Sequence, residues 1–237
     1  ACIRCGRCHK ACPAAEGGYP LSPRDLILAL QVGARRLLPG PRPAPGTAAT
    51  APVLAGEIIP VDWLWSCTSC LACDEVCPLG IEHLPLILQM RRDLVARGEI
   101  GDKVQETLTS MMRYGNSRGQ SPRNRARWTR DLPFEIKDAR KEPVEYLWFV
   151  GDYASFDSRA QEVTRAAARV FHAVGLDFGI LFESEQGTGT DVRRVGEEGL
   201  FEMERDKVLQ ALDKAQFRKI VTTDPHTYQA LKREYGG

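Results

Sequence analysis

The spacing of apolar residues changes character partway along the chain, and the change divides it. In the first part the period is helical. Ser22-Pro23-Arg24-Asp25 has the form of a helix start, with a hydroxyl cap, a proline in the first turn and an acid behind it. Leu26, Ile27, Leu30, Ala34 and Leu37 then recur on one predicted face. A second helix is predicted from Leu84 to Arg97, stopped by Gly98. Between them, residues 39–56 are rich in Pro, Gly, Ala and Thr and read as a surface loop. No alternation of strand type occurs between Pro13 and Ser66.

From residue 144 short apolar runs alternate with helical periods. Val144–Val150, Asp177–Phe182 and Arg218–Thr222 read as strands, and 159–174, 194–215 and 225–235 as helices. The 194–215 helix carries Leu200, Phe201, Met203, Val208, Leu209 and Leu212. Strand–helix repeats of this length predict a parallel sheet with right-handed crossovers. Sites gather in the loops after the carboxyl ends of such strands. Here those loops are Gly151-Asp152-Tyr153, Gln186-Gly187-Thr188-Gly189 and Thr223-Asp224-Pro225-His226. The predicted organisation is a helical domain over 1–100, a connector over 101–141 and an α/β domain over 142–237. The connector holds Arg113, Arg118, Arg123, Arg125, Arg127 and Arg130, with no acid from 113 to 130. It reads as an extended arm, either a solvated linker or a dock for an acidic subunit or lipid headgroups.

The 237 residues are nearly balanced in charge, at +1, which gives no reason to expect a nucleic-acid partner. No apolar run reaches the roughly 18 residues of a membrane helix. The longest apolar face, Leu26–Leu38, is broken by Gln31, Arg35 and Arg36. Only Ala1 precedes Cys2, which reads as the start of a piece of a longer protein.

The cysteines change the picture most. There are eight, in two copies of one run: Cys2, Cys5, Cys8, Cys12 before Pro13, and Cys67, Cys70, Cys73, Cys77 before Pro78. C-x2-C-x2-C-x3-C-P is the bacterial ferredoxin run, whose thiolates hold [4Fe–4S] cubes and whose fourth cysteine serves the other cluster in two-cluster proteins. The expected sets are Cys2, Cys5, Cys8 with Cys77, and Cys67, Cys70, Cys73 with Cys12. Disulfides fit poorly, since no cysteine lies beyond Cys77 and no signal peptide is visible. Zinc wants pairs and leaves the third and fourth cysteines of each run unexplained. Thiolates imply a reducing compartment, hence a cytoplasmic location, free or peripheral on the cytoplasmic membrane face within a complex. Trp63, Trp65, Ile3 and Leu71 are expected to shield the clusters, and His9 and His83 to hydrogen-bond near them.

The helical spacer between the runs resembles the α-helical ferredoxin arrangement of succinate dehydrogenase iron–sulfur subunits. The later loops carry a second resemblance. Gly151-Asp152-Tyr153-Ala154-Ser155-Phe156-Asp157-Ser158-Arg159 is similar to the GCYxSYDxR segment of the cysteine-rich CCG domain. Gly187-Thr188-Gly189 with Arg193-Arg194-Val195-Gly196 is similar to its CCG…RRxG segment, and Val221–Thr227 to its VTTCPHC segment. Tyr114-Gly115-Asn116, Gly119–Pro122, Arg125 and Trp128 look like that family's connector. The family is the heterodisulfide reductase catalytic subunit with its relatives, among them iron–sulfur subunits of glycolate and lactate oxidases and of electron-transfer-flavoprotein:quinone oxidoreductases.

The resemblance implies an α-helical ferredoxin domain followed by a small α/β domain. It also implies that the cysteines of that second domain are gone, with Asp152, Gly187, Thr188, Asp224 and Thr227 in their places. Such a domain would hold no cluster of its own. The implied function is an electron-transfer subunit, relaying electrons through two [4Fe–4S] clusters between a flavoprotein or other redox subunit and a quinone or membrane cytochrome. The alternative is a heterodisulfide-reductase-like catalytic subunit whose active cluster lies outside this stretch. Two weaker readings of the α/β loops are a metal held by Asp152, Asp224 and His226, and a phosphate cradled by Gln186–Thr190. Against the metal, Asp224 is placed to cap the helix that begins at Pro225.

Overall fold

A computed structural model describes residues 2–37 and 53–235. The predicted loop 39–56 lies outside the described residues up to 52. The chain forms two compact units, one of residues 1–99 with 194–196 and the other of 100–193 with 197–237.

The first unit is helical. Short helix α1 (Arg7–Lys10) lies within the first cysteine run and α2 (Pro13–Glu16) follows it. Helix α3 (Pro23–Leu37) starts at the predicted cap, where the Asp25 N–H donates to Ser22 Oγ at 3.3 Å. Its buried line is not quite the expected one. Leu26 and Ile27 are buried, but the line turns through Gly33 and leaves Ala34 exposed. The Ile58 side chain packs so close to Gly33 that a β-carbon there would lie 2.9 Å from it. Then come α4 (Val61–Ser66), α5 (Ala72–Glu75) and α6 (His83–Ala96). Leu21, Leu26, Ile59, Leu64, Ile87 and Leu94 form the core, with Cys12 buried among them and Cys2 and Cys67 packed against it. The described part of this unit contains no strand, only an isolated bridge between Ala55 and Ile59.

The second unit opens with α7 (Asp102–Tyr114). The arginine-rich stretch after it is not an extended arm. It folds into two 3₁₀ turns, Pro122–Asn124 and Arg127–Asp131, with Asn116, Arg125 and Trp128 buried. Asn116 builds the entry to it: Oδ1 accepts from the amides of Arg118 and Gln120, and Nδ2 donates to the carbonyls of Tyr114 and Gln120. An arginine run with no nearby acid in sequence reads as solvated only because its acids come from far along the chain.

The sheet is parallel, in the order β1 (Lys137–Asp138), β3 (Phe178–Ile180), β2 (Val144–Phe149), β4 (Phe217–Thr222). Strand β1 has two polar residues and no periodic signature, so it escapes sequence reading. Helix α8 (Asp152–Phe156) and helix α9 (Ser158–Ala173) follow β2. The predicted helix 194–215 is two helices, α10 (Thr190–Val195) and α11 (Glu198–Asp213). They part at Gly196, whose φ of 107° lies outside helical space and is natural only to glycine. Helix α12 (Pro225–Gln229) continues into a π-type turn, Ala230–Glu234.

Strand β2 reads as an apolar run, interrupted only by the exposed Glu145, because helices cover both its faces. Trp148 and Val150 pack with Ala168 and Phe171 of α9, and Leu147 with Ala211 and Leu212 of α11. Trp148 is fully buried and meets Trp128, Phe171 and Phe178 edge to face, at centroid distances of 5.5, 5.1 and 6.0 Å. Trp148→Ala is expected to destabilise this unit by about 3–5 kcal/mol, read from the urea midpoint followed by circular dichroism.

Candidate iron–sulfur centre and the cleft at the sheet edge

The two cysteine runs fold the same way. In each, the residue two beyond the first cysteine has a left-handed backbone, Arg4 at φ 62° and Ser69 at φ 58°. Its amide turns back onto that cysteine: Arg4 N–H to Cys2 Sγ and Ser69 N–H to Cys67 Sγ, both 3.4 Å. In each, the residue after the second cysteine is left-handed too, Gly6 at φ 77° and Leu71 at φ 65°, and each stands before a four-residue helix carrying the third cysteine. Such a loop winds the backbone around a central volume and aims amides at sulfur. A left-handed side chain costs about 1 kcal/mol, so Gly6→Ala is expected to destabilise by about that much. Leu71→Gly relieves the same strain at the cost of the leucine's packing. Thermal unfolding of the two single variants should therefore separate them, with Gly6→Ala the lower.

One grouping of sulfurs across the two runs is explicit. Cys2, Cys5, Cys8 and Cys77 line one small cleft, together with Ile3, Gly6, Arg24 and His83. Cys8 lies within electrostatic reach of Cys2 and Cys77, and Cys67 within that of Cys70 and Cys12. A further amide, that of Ile81, donates to Cys77 Sγ at 3.3 Å. Burial pushes the Cys8, Cys67 and Cys73 thiols up, with Asp74 adding to the rise at Cys73. Free thiols in such places stay protonated at neutral pH, and the positive charge of a metal is what turns them into ligands. The donor set, soft sulfur with amide donors behind it, fits an iron–sulfur cluster.

The expected shielding residues divide. Trp63, Trp65 and Leu71 are half-buried, but Ile3 is exposed at the rim of the first cleft. His83 is buried, and both its amide and Nδ1 face Asp74 Oδ1, at 2.8 and 3.2 Å.

In the second unit the five residues expected to stand in the places of the resembled family's cysteines meet. Asp152, Gly187, Thr188, Asp224 and Thr227 line one cleft of about 380 Å³ at the carboxyl edge of the sheet, with His226 among its other walls. None offers sulfur. Asp152 is tied to Arg125 at 2.6 Å, and a β-carbon on Gly187 would meet Asp152 Oδ2 at 2.7 Å. Asp224 caps α12, accepting from the amides of His226 and Thr227 and from the Thr227 hydroxyl. The two aspartates named in the metal reading are thus already engaged by protein donors.

Arg125, which sequence reading counted among surface arginines, is 3% exposed and sits between two carboxylates, Asp152 and Glu185 (3.1 Å). Glu185 also accepts the amides of Val150 and Gly151, pinning the end of β2. Burial pushes both carboxyls up, against the pull of Arg125. No sequence signal marked Glu185, since its partners lie 60 and 35 residues away.

A protein with this sulfur-lined helical unit is an iron–sulfur protein, and comparison with known proteins agrees. Residues 1–81 match the family described as a 4Fe-4S dicluster domain. The chain is 33% identical to the "Probable iron-sulfur-binding oxidoreductase FadF" of Bacillus subtilis, over 99% of this chain and 38% of that protein. It is 34% identical to the "EtfAB:quinone oxidoreductase" of Syntrophomonas wolfei, over 99% of this chain and 36% of the relative. It is 28% identical to one subunit of the dihydromethanophenazine:CoB--CoM heterodisulfide reductase of Methanosarcina barkeri, over 99% of this chain and 57% of the relative. Residues 1–81 thus carry the 4Fe-4S dicluster domain, and along nearly its whole length the chain is similar to proteins named as iron–sulfur oxidoreductases and to that heterodisulfide reductase subunit. It spans less than two thirds of each of these relatives. No solved structure matches it significantly. No described helix is long and apolar enough to cross a membrane.

Proposed function

We propose that this chain is the electron-relay portion of a multi-subunit oxidoreductase, with two [4Fe–4S] clusters. Cys2, Cys5, Cys8 and Cys77 hold one cluster, and Cys67, Cys70, Cys73 and Cys12 the other. The observation that carries this is the repeated loop geometry, together with the grouping of Cys77 with the first run and Cys12 with the second. Such clusters supply one-electron transfer, while the protein supplies position, exclusion of water and charge. Crossed ligation holds the two centres close, as a relay needs.

On this reading residues 1–100 are an α-helical ferredoxin domain, 101–141 a connector and 142–237 a degenerate CCG domain that keeps the fold without ligands. The donor is a flavoprotein or other redox subunit, and the acceptor a quinone- or cytochrome-bearing membrane partner. The relative named as an EtfAB:quinone oxidoreductase supports that pairing. The location is cytoplasmic, on the membrane face when in complex.

Iron and sulfide analysis of the anaerobically reconstituted chain tests the relay. About eight irons per chain are expected from two cubes, with two interacting paramagnetic signals on reduction. About four irons overturns the two-cluster reading. On the full-length protein, a clear excess over eight, with a new signal on oxidation, would favour the alternative, a heterodisulfide-reductase-like catalytic subunit whose active cluster lies outside this stretch.

A further inference from the structure

Arg91 is 5% exposed in the first unit, and among the described residues no carboxylate pairs with it. Its Nε and one Nη donate to Leu64 O, the same Nη donates to Cys67 O at 2.7 Å, and the other Nη donates to Arg194 O at 2.6 Å. Its guanidinium lies over the Trp65 ring, 5.2 Å from the centroid. All these partners are neutral. A buried cation served only by carbonyls and a ring face is costly unless an anion stands nearby. The bond from Arg91 to the Cys67 carbonyl holds it within electrostatic reach of the Cys67 sulfur, which becomes a thiolate when a cluster is bound.

We infer that Arg91 is the built-in counter-charge of the cluster held by Cys67, Cys70, Cys73 and Cys12, and that it makes this cluster the electron sink of the pair. The inference rests on the two-cluster reading above. Adding one electron to a cube adds one negative charge within its ring of thiolates, with no bond made or broken. A fixed cation bonded to the backbone of one of those ligands favours the reduced state more than the oxidised one, and low local dielectric magnifies the difference.

Among the described residues lining the first cluster's cleft there is no equivalent buried, unpaired cation. Arg24 lines that cleft, but it is neutralised by Asp25 at 2.8 Å and is 39% exposed, so water screens it. Asp74, beside Cys73, acts in the opposite sense to Arg91. It is engaged by the amide and ring of His83, whereas no acid among the described residues offsets Arg91.

The test is an EPR-monitored redox titration of the reconstituted chain, its Arg91→Met variant, which keeps the apolar stem, and Arg91→Lys, which keeps the charge. The signals are assigned with Cys5→Ala and Cys70→Ala. Arg91→Met is expected to lower the potential of the Cys67 cluster by at least a tenfold change in its oxidised-to-reduced ratio, 59 mV for one electron. The Cys2 cluster should stay in place, and Arg91→Lys should lie nearer the wild type. Unchanged potentials in Arg91→Met, equal shifts of both clusters, or a Lys variant as displaced as Met each overturn the inference. If Arg91→Met cannot hold the second cluster, the Lys variant decides: a potential near that of the wild type supports the inference, and a tenfold displacement overturns it. Failure of the wild type to bind two clusters would instead sink the relay reading itself.

Discussion

Replacing Cys77 with alanine is expected to abolish the cluster of the first cysteine run and spare that of the second, although Cys77 belongs to the second run in sequence. Iron should fall from about eight to about four per chain. The surviving EPR spectrum and potential should match those of Cys5→Ala, not those of Cys70→Ala. Cys12→Ala should give the mirror result and match Cys70→Ala. The reason is local. After Cys73 the chain turns through α5, and Cys77 emerges on the cleft lined by Cys2, Cys5 and Cys8, with the Ile81 amide bonded to its sulfur. If Cys77→Ala instead reproduces Cys70→Ala, each run holds its own cluster and the crossed assignment is wrong.

Arg125→Met is expected to be the most damaging single change in the α/β unit, at about 3–5 kcal/mol, because it leaves two buried carboxylates without their shared cation. The loss should depend on pH with a defined sign. Burial already holds the Asp152 and Glu185 carboxyls above their ordinary values of 3.8 and 4.5 in the folded state. Without Arg125 they rise further. A carboxyl raised in the folded state binds its proton more readily there than in the unfolded chain. Its penalty therefore grows as pH rises through the folded value and disappears below the unfolded one. The stability gap between Arg125→Met and the wild type, measured by urea unfolding of the whole chain, should narrow from pH 7 toward pH 4.5. Adding Glu185→Gln to Arg125→Met should recover part of the loss at pH 7 by removing one charge. A gap independent of pH would show that Arg125 acts through packing rather than charge.

Regular elements with strong local signals were legible. The Ser22 cap, the stop at Gly98, the apolar run of β2 and the Asp224 cap all depend on neighbours within a few residues. Readings failed where the deciding partner was distant. Gly33 replaced Ala34 on the buried line because Ile58 packs there. The helix predicted over 194–215 broke at Gly196, whose turn the surrounding apolar period concealed. The arginine stretch looked solvated, yet Arg125 is buried on acids far along the chain.

By itself, then, the sequence determined the sulfur chemistry. Cysteine spacing sets which thiolates one tight loop can bring together, and that is a local property of the backbone. It also determined that five positions in the second unit carry no thiol, since residue identity needs no fold. Only the tertiary structure decided that those five positions share one cleft, that Asp152 there is tied to Arg125, and that Arg91 lies buried beside Cys67 with no carboxylate among the described residues to pair with it. Burial and charge pairing belong to the packed chain, because the same arginine is an ordinary surface cation in water and an unmatched charge in a core.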